Sequence, residues 1–157
     1  MKTIILGERS SLTKSLKKEI NNTIIFSSEK IEKEDYFKKI PKKFNLIINL
    51  FYPTSKLEDI DDYVNFFNKN IILSSKFLKS INKKKINKII YTSSASVYGS
   101  LGQDTSYDNK KLYASSKILF ENYIKNYSIR NKKKTIIARV FNMYDESENF
   151  SIISKIT

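Results

Sequence analysis

Short runs of consecutive apolar residues alternate along this chain with longer stretches whose apolar residues recur every three or four positions. Thr3–Leu6, Thr23–Phe26, Leu46–Leu50, Ile86–Tyr91 and Thr135–Phe141 are of the first kind. Their length and β-branched content predict strands buried on both faces. Ser11–Ile20 is of the second kind, with Leu12, Leu16 and Ile20 four apart. So is Ile60–Ile81, through Val64, Phe67, Ile71, Phe77, Leu78 and Ile81, and so is Tyr113–Tyr127. These spacings predict amphipathic helices. Lys30–Lys43 is polar and predicts no clear element, and Pro41 marks a break within it. Strands that alternate with helices predict parallel βαβ units with right-handed crossovers. The expected fold is therefore α/β, a doubly wound parallel sheet with helices on both faces. Ligands of such sheets bind outside the carboxyl ends of the strands, so the segments just after each strand are where chemistry is expected.

Composition narrows the chemistry. The 157 residues, 40% hydrophobic and 29% charged, suit a single domain spanning 1–157. There is no Cys and no His, which removes disulfides, Cys/His zinc sites, cysteine nucleophiles and Ser-His-Asp triads. Acid–base work falls to Tyr, Lys, Asp, Glu or a cofactor, and no metal is expected. No apolar run approaches the length of a membrane span, and the N-terminus reads as a first strand rather than a signal peptide. A cytoplasmic location is expected. The net charge is +13, yet among 29 basic residues only Arg9, Arg130 and Arg139 are Arg. Lys clusters at 38–39, 42–43, 83–85 and 132–134 read as a solvated surface. Base readout favours the bidentate Arg fork, so nucleic acid is disfavoured as a partner.

After the first strand the chain reads Gly7-Glu8-Arg9-Ser10-Ser11-Leu12-Thr13. A tight turn there would let helix N-terminal amides face a phosphate. A plain strand–helix connection would look much the same. The second strand ends in Ser27-Ser28, with Glu29 the nearest acid. With no acid at the strand end itself, and Arg9 expected nearby, a dinucleotide here leans to NADP over NAD.

Tyr113 and Lys117 are four apart and share a helical face. A nearby ammonium stabilises phenolate and makes Tyr a usable proton donor or acceptor. With 10 Tyr and so many Lys, such spacing arises by chance. Tyr52/Lys56 and Tyr107/Lys111 also match, but the first is interrupted by Pro53 and the second sits in a polar loop. Only Tyr113/Lys117 opens a long segment with Ile118, Leu119, Phe120, Tyr123 and Ile124. Upstream lies Ile89-Ile90-Tyr91-Thr92-Ser93-Ser94-Ala95-Ser96-Val97-Tyr98-Gly99, a buried strand running into a small-residue turn. Tyr98 itself is read as core packing.

This arrangement resembles the extended short-chain dehydrogenase/reductases, the NAD-dependent epimerase/dehydratase family. Their pattern is a strand ending Ser-Ser-x-x-Val-Tyr-Gly and then a Tyr-x-x-x-Lys helix. Glu121 four residues after Lys117, Asn70-Ile71, and Arg139-Val140-Phe141-Asn142-Met143-Tyr144 extend the resemblance in the same order. The resemblance implies a Rossmann-like domain that takes NAD or NADP and acts on a nucleotide sugar as epimerase, dehydratase or reductase. It implies that Ser94 bonds the reacting oxygen and Tyr113 transfers a proton. Lys117 would hold the cofactor ribose and tune Tyr113, and Asn70 would support a water near Lys117. Gly7, Arg9, Ser10, Ser11 and Leu12 would line the phosphates, Ser27 the ribose side, and Leu50, Phe51 and Tyr52 the adenosine side.

The chain departs from that family in three ways. Ser10 and Thr13 stand where glycines are usual in the first turn. Ser94 to Tyr113 is a short interval of nineteen residues. The sequence given ends at Thr157, soon after the last strand, where Phe150–Thr157 reads as the start of a helix. The C-terminal substrate domain is therefore expected to be missing. An unfinished sheet would expose apolar surface, and a homodimer or a partner chain is expected to cover it. A non-catalytic cofactor-binding or interaction module is the alternative.

Overall fold

The computed structural model describes residues 1–34, 36–54, 57–99 and 109–141, without the side chains of Lys84 and Lys110. Lys56, Tyr107, the Asn142–Tyr144 segment and the helix-like 150–157 lie outside those residues.

Five strands form one parallel sheet: β1 (Lys2–Leu6), β2 (Thr23–Phe26), β3 (Phe44–Ile48), β4 (Ile86–Ser94) and β5 (Lys134–Val140). Their spatial order is β2-β1-β3-β4-β5, with every neighbouring pair parallel. The chain steps outward from β1 to β2, then returns past β1 to β3 and continues in that direction. Right-handed crossovers taken in opposite directions place helices on opposite faces. The reversal leaves a crevice between the carboxyl ends of β1 and β3.

The connecting helices are α1 (Ser11–Glu19), α2 (Ser28–Glu32), α3 (Ile60–Phe67), α4 (Leu73–Ser80) and α5 (Asn109–Arg130). Ser10 caps α1 through the Thr13 amide, and Asp59 caps α3 through that of Asp62, satisfying N–H groups that a helix start leaves open. The main core joins one face of the sheet to α2, α4 and α5. It includes Ile4, Leu6, Phe44, Leu46, Ile89 and Tyr91 from strands, and Ile31, Phe77, Phe120 and Ile124 from helices.

Three departures from the sequence pattern have physical causes. The predicted helix over 60–81 is broken by a π-turn at Asn68–Ile72. The extra residue in that turn shifts the helical phase, so Asn70 is buried while Ile72 is exposed. The first half of the predicted stripe is not core either, since Ile60 and Val64 are 76% and 61% exposed. Second, the unread polar stretch contains the C-terminal part of α2 and a 3₁₀ turn at Phe37–Lys39. It is anchored by buried Tyr36, whose ring meets Phe26 and Phe77 and whose hydroxyl pairs with Ser80 at 2.8 Å. Third, Tyr98 is not core packing: it is 64% exposed. It lies in a 3₁₀ turn, Ala95–Tyr98, that carries the chain off the end of β4.

Candidate functional site

The turn after β1 begins with a residue that must lack a side chain. Gly7 has φ +108°, and a Cβ there would lie 2.4 Å from the Asn49 carbonyl oxygen. Both the left-handed backbone and the contact with β3's end require glycine. Ser10 and Thr13 tolerate side chains because their hydroxyls enter a polar network. Thr13 Oγ1 donates to the Gly7 carbonyl at 2.7 Å, and Ser10 Oγ donates to Thr13 Oγ1 at 3.0 Å. Asn49 Nδ2 donates to Ser10 Oγ at 2.6 Å and to Thr13 Oγ1 at 2.8 Å.

This turn forms one wall of a 240 Å³ cleft. Among its lining residues are Gly7, Arg9, Ser10, Ser27, Leu50, Phe51 and Tyr52, seven of the ten positions expected at a cofactor's phosphates, riboses and adenosine; Lys117 does not line it. Ser11 and Leu12 lie in the first turn of α1 and do not line it. Sequence reasoning missed Asn49 and Lys69, which also line it. Lys69 sits on the π-turn with its ammonium over the Tyr52 ring at 5.3 Å. Arg9 pairs with Glu29 at 2.8 Å. The Glu29 carboxyl is held below its ordinary value, chiefly by its own backbone amide at the start of α2, then by Ser27 and Arg9. The donor set fits the adenosine half of a dinucleotide: backbone of a glycine turn, flanking cations, and the apolar surfaces of Leu50 and Phe51.

The second group lies at the carboxyl end of β4. Lys117, 4% exposed, donates to the Thr92 carbonyl at 3.1 Å. Its ammonium lies over the rings of Tyr91 and Tyr113 at 5.2 and 5.4 Å. Burial pulls the Lys117 ammonium down to about 8, against the opposing pull of Glu121. Burial likewise raises the Tyr113 phenol, while the nearby Ser94 hydroxyl works the other way. Ser94 also caps the following 3₁₀ turn, accepting from the Ser96 amide at 3.2 Å and the Ser96 hydroxyl at 3.0 Å. The structure thus brings Ser94, Tyr113 and Lys117 together. Asn70 serves another place: its amide accepts from the Tyr52 N–H at 3.1 Å and donates to the Tyr52 carbonyl at 3.3 Å, fixing the loop after β3.

One turn beyond Lys117, Glu121 is buried and takes a bidentate pair from Arg139 on β5, at 2.9 and 2.7 Å. Arg139 in turn stacks on Tyr98, 4.7 Å from its ring centre. The Glu121 carboxyl is held below its ordinary value, mainly by that Arg139 bond. Among the described residues no cluster of acidic side chains could hold a metal, and no helix is long and apolar enough to cross a membrane.

Residues 5–155 match the model of the NAD dependent epimerase/dehydratase family. The chain matches no curated protein by sequence. Solved structures of similar fold include a short-chain dehydrogenase/reductase superfamily protein from Agrobacterium tumefaciens with bound NAD. It is 12% identical, with TM-score 0.74, over 99% of this chain and 54% of that one. A UDP-galactose 4-epimerase is 13% identical, with TM-score 0.73, over 99% and 60%. The UDP-N-acetylglucosamine 4-epimerase from Methanobrevibacter ruminantium M1 is 19% identical, with TM-score 0.66, over 99% and 62%. The chain spans about half the length of the first of these and about three-fifths of the other two.

Proposed function

Because the chain belongs to the NAD dependent epimerase/dehydratase family, we propose that it binds NAD or NADP and serves proton transfer coupled to hydride transfer on a nucleotide sugar. The observation that carries this reading is the meeting of Tyr113 and Lys117 over the end of β4, the strand that terminates in Ser94. The Gly7 turn and Arg9 would hold the phosphates, with Leu50 and Phe51 against the adenosine. Lys117 would bind the ribose and, while protonated, stabilise the Tyr113 phenolate; Ser94 would bond the reacting oxygen. Asn70 would act by fixing the Tyr52 backbone, and any part in holding a water near Lys117 would add to that. When bound, the nicotinamide supplies hydride acceptance and donation.

Arg9 and Lys69 at the cleft favour the 2′-phosphate of NADP, in competition with the Glu29 carboxylate. UDP-sugars are the first substrates to try, since similar folds include epimerases of that class. The test is to titrate NADPH and NADH separately against the chain, then to assay UDP-sugars with wild type and Tyr113→Phe. Binding with a rise in melting temperature, and turnover lost by about a thousandfold or more in Tyr113→Phe with cofactor affinity kept, is expected. Failure to bind either nucleotide at millimolar concentration would refute the cofactor reading. The alternative of a non-catalytic cofactor-binding or interaction module is favoured by Ser10 and Thr13 in the turn. It predicts binding without any activity for Tyr113→Phe to remove.

A further inference from the structure

In a dinucleotide turn the second and third glycines let the backbone approach the pyrophosphate and let helix and strand pack closely. Here those positions carry Ser10 and Thr13. Thr13 is 1% exposed, so its side chain occupies the space between α1 and the sheet. A buried hydroxyl in that place is tolerated only if its hydrogen bonds are made. Asn49, itself buried just after β3, makes one of them and bonds the Ser10 hydroxyl that makes another. Its backbone N–H donates to the Leu6 carbonyl at 2.9 Å, so its side chain is presented from a fixed strand end.

The bonding is fully accounted for. The Ser10 hydroxyl gives its one hydrogen to Thr13 Oγ1 and accepts from the Thr13 amide and from Asn49 Nδ2. The Thr13 hydroxyl gives its hydrogen to the Gly7 carbonyl and accepts from Ser10 and Asn49. A hydroxyl has one donor and two acceptor positions, and both hydroxyls have all three engaged.

We propose that Asn49 is a positioning residue for the phosphate turn, locking Ser10 and Thr13 from the strand side and so standing in for the two glycines. The inference rests on reading the cleft as a dinucleotide site. It has a specific corollary: the Ser10 hydroxyl is committed inward, and an anion at this turn is met by backbone amides and Arg9.

The experiment compares wild type with Asn49→Leu, which keeps the branched heavy-atom shape and removes both donors. Two quantities are read: NADH and NADPH affinity, and hydrogen exchange of the Thr13 amide in the nucleotide-free chain. Affinity is expected to weaken about tenfold, roughly what one neutral hydrogen bond contributes. Thr13 exchange is expected to quicken by a similar factor relative to β1 amides. In a Ser10→Gly/Thr13→Gly background the same Asn49→Leu change is expected to alter affinity by less than about twofold, since nothing remains to lock. A merely structural defect would weaken binding equally in both backgrounds, and that result, or unchanged Thr13 exchange, overturns the proposal. If wild type binds neither nucleotide, the functional reading fails, while Thr13 exchange still decides the role of Asn49. Should Asn49→Leu not fold, Thr13→Val breaks the lock from its other side, with the same expected loss of affinity.

Discussion

Lys117 shows what a single buried charge does to this domain. Its ordinary value of 10.5 is pulled down to about 8, first by burial. Between those pH values the unfolded chain carries a proton that the folded chain does not, so stability contributed at this residue rises with pH across that window. Below it, holding the ammonium in the core costs about 3 kcal/mol. The nucleotide-free Lys117→Met variant is therefore expected to be more stable than wild type at pH 7, by up to about that amount. The gap should close toward pH 10.5. Urea denaturation at both pH values checks this, and a gap independent of pH would contradict it. Of the residues expected with Lys117, Tyr113 was singled out by the long apolar segment it opens, since its spacing alone arises by chance, and Ser94 by the Ser-Ser-x-x-Val-Tyr-Gly segment. Asn49 was not, because its role depends on two hydroxyls some 36 and 39 positions earlier, and no local pattern encodes that meeting. Tyr98 was misread for the converse reason: an aromatic after a strand resembles core, and only the turn's direction sends it outward against Arg139.

At the scale of elements, β1 and β3 were readable because burial on both faces leaves uninterrupted apolar runs, whereas β5 carries such a run although none of its residues is buried. The short α2 was not, since five residues carry too little periodicity, and its one core anchor is Ile31. The contact between α5 and β5 has a testable weight. Removing Arg139 as Arg139→Met would leave the Glu121 carboxylate, 2% exposed, without its guanidinium. A loss of about 3 kcal/mol of stability at pH 7 is expected, with most of it recovered in Glu121→Gln/Arg139→Met. Glu121 lies below its ordinary carboxylate value in the intact chain, so its contribution is complete above about pH 4.5 and is lost as pH falls through the lowered value. In the single variant the orphaned carboxyl takes up a proton sooner, and the gap to wild type should narrow toward pH 4. Urea midpoints across that range measure it; equal stability of wild type and Arg139→Met would show that the pair contributes nothing.

For the molecule as a whole, the parallel sheet with helices on both faces followed from alternation and crossover handedness, which are properties of any such chain, while the strand order came only from the fold. The charge is particular to this one. A net +13 on 157 residues makes the compact state repel itself. Raising salt from about 10 to about 200 mM shortens the screening length from roughly 30 to 7 Å. The melting temperature is expected to rise by a few degrees over that interval, read by thermal melts. A flat or falling melting temperature would mean that the lysines are already neutralised by close carboxylates. A second copy or another chain covering the sheet would raise the mass in solution, and light scattering at high concentration distinguishes this from a monomer.

The π-turn at Asn68–Ile72 makes the chain's length between β3 and β4 non-negotiable. Deleting one residue there would give a more regular helix, and by helix propensity alone a better one. It would also rotate everything downstream by about 100°. Phe77 and Leu78 would swing away from the sheet, or Asn70 would turn away from the loop it holds. The irregularity is thus a gearing between two fixed ends, one facing the core and one facing the cleft.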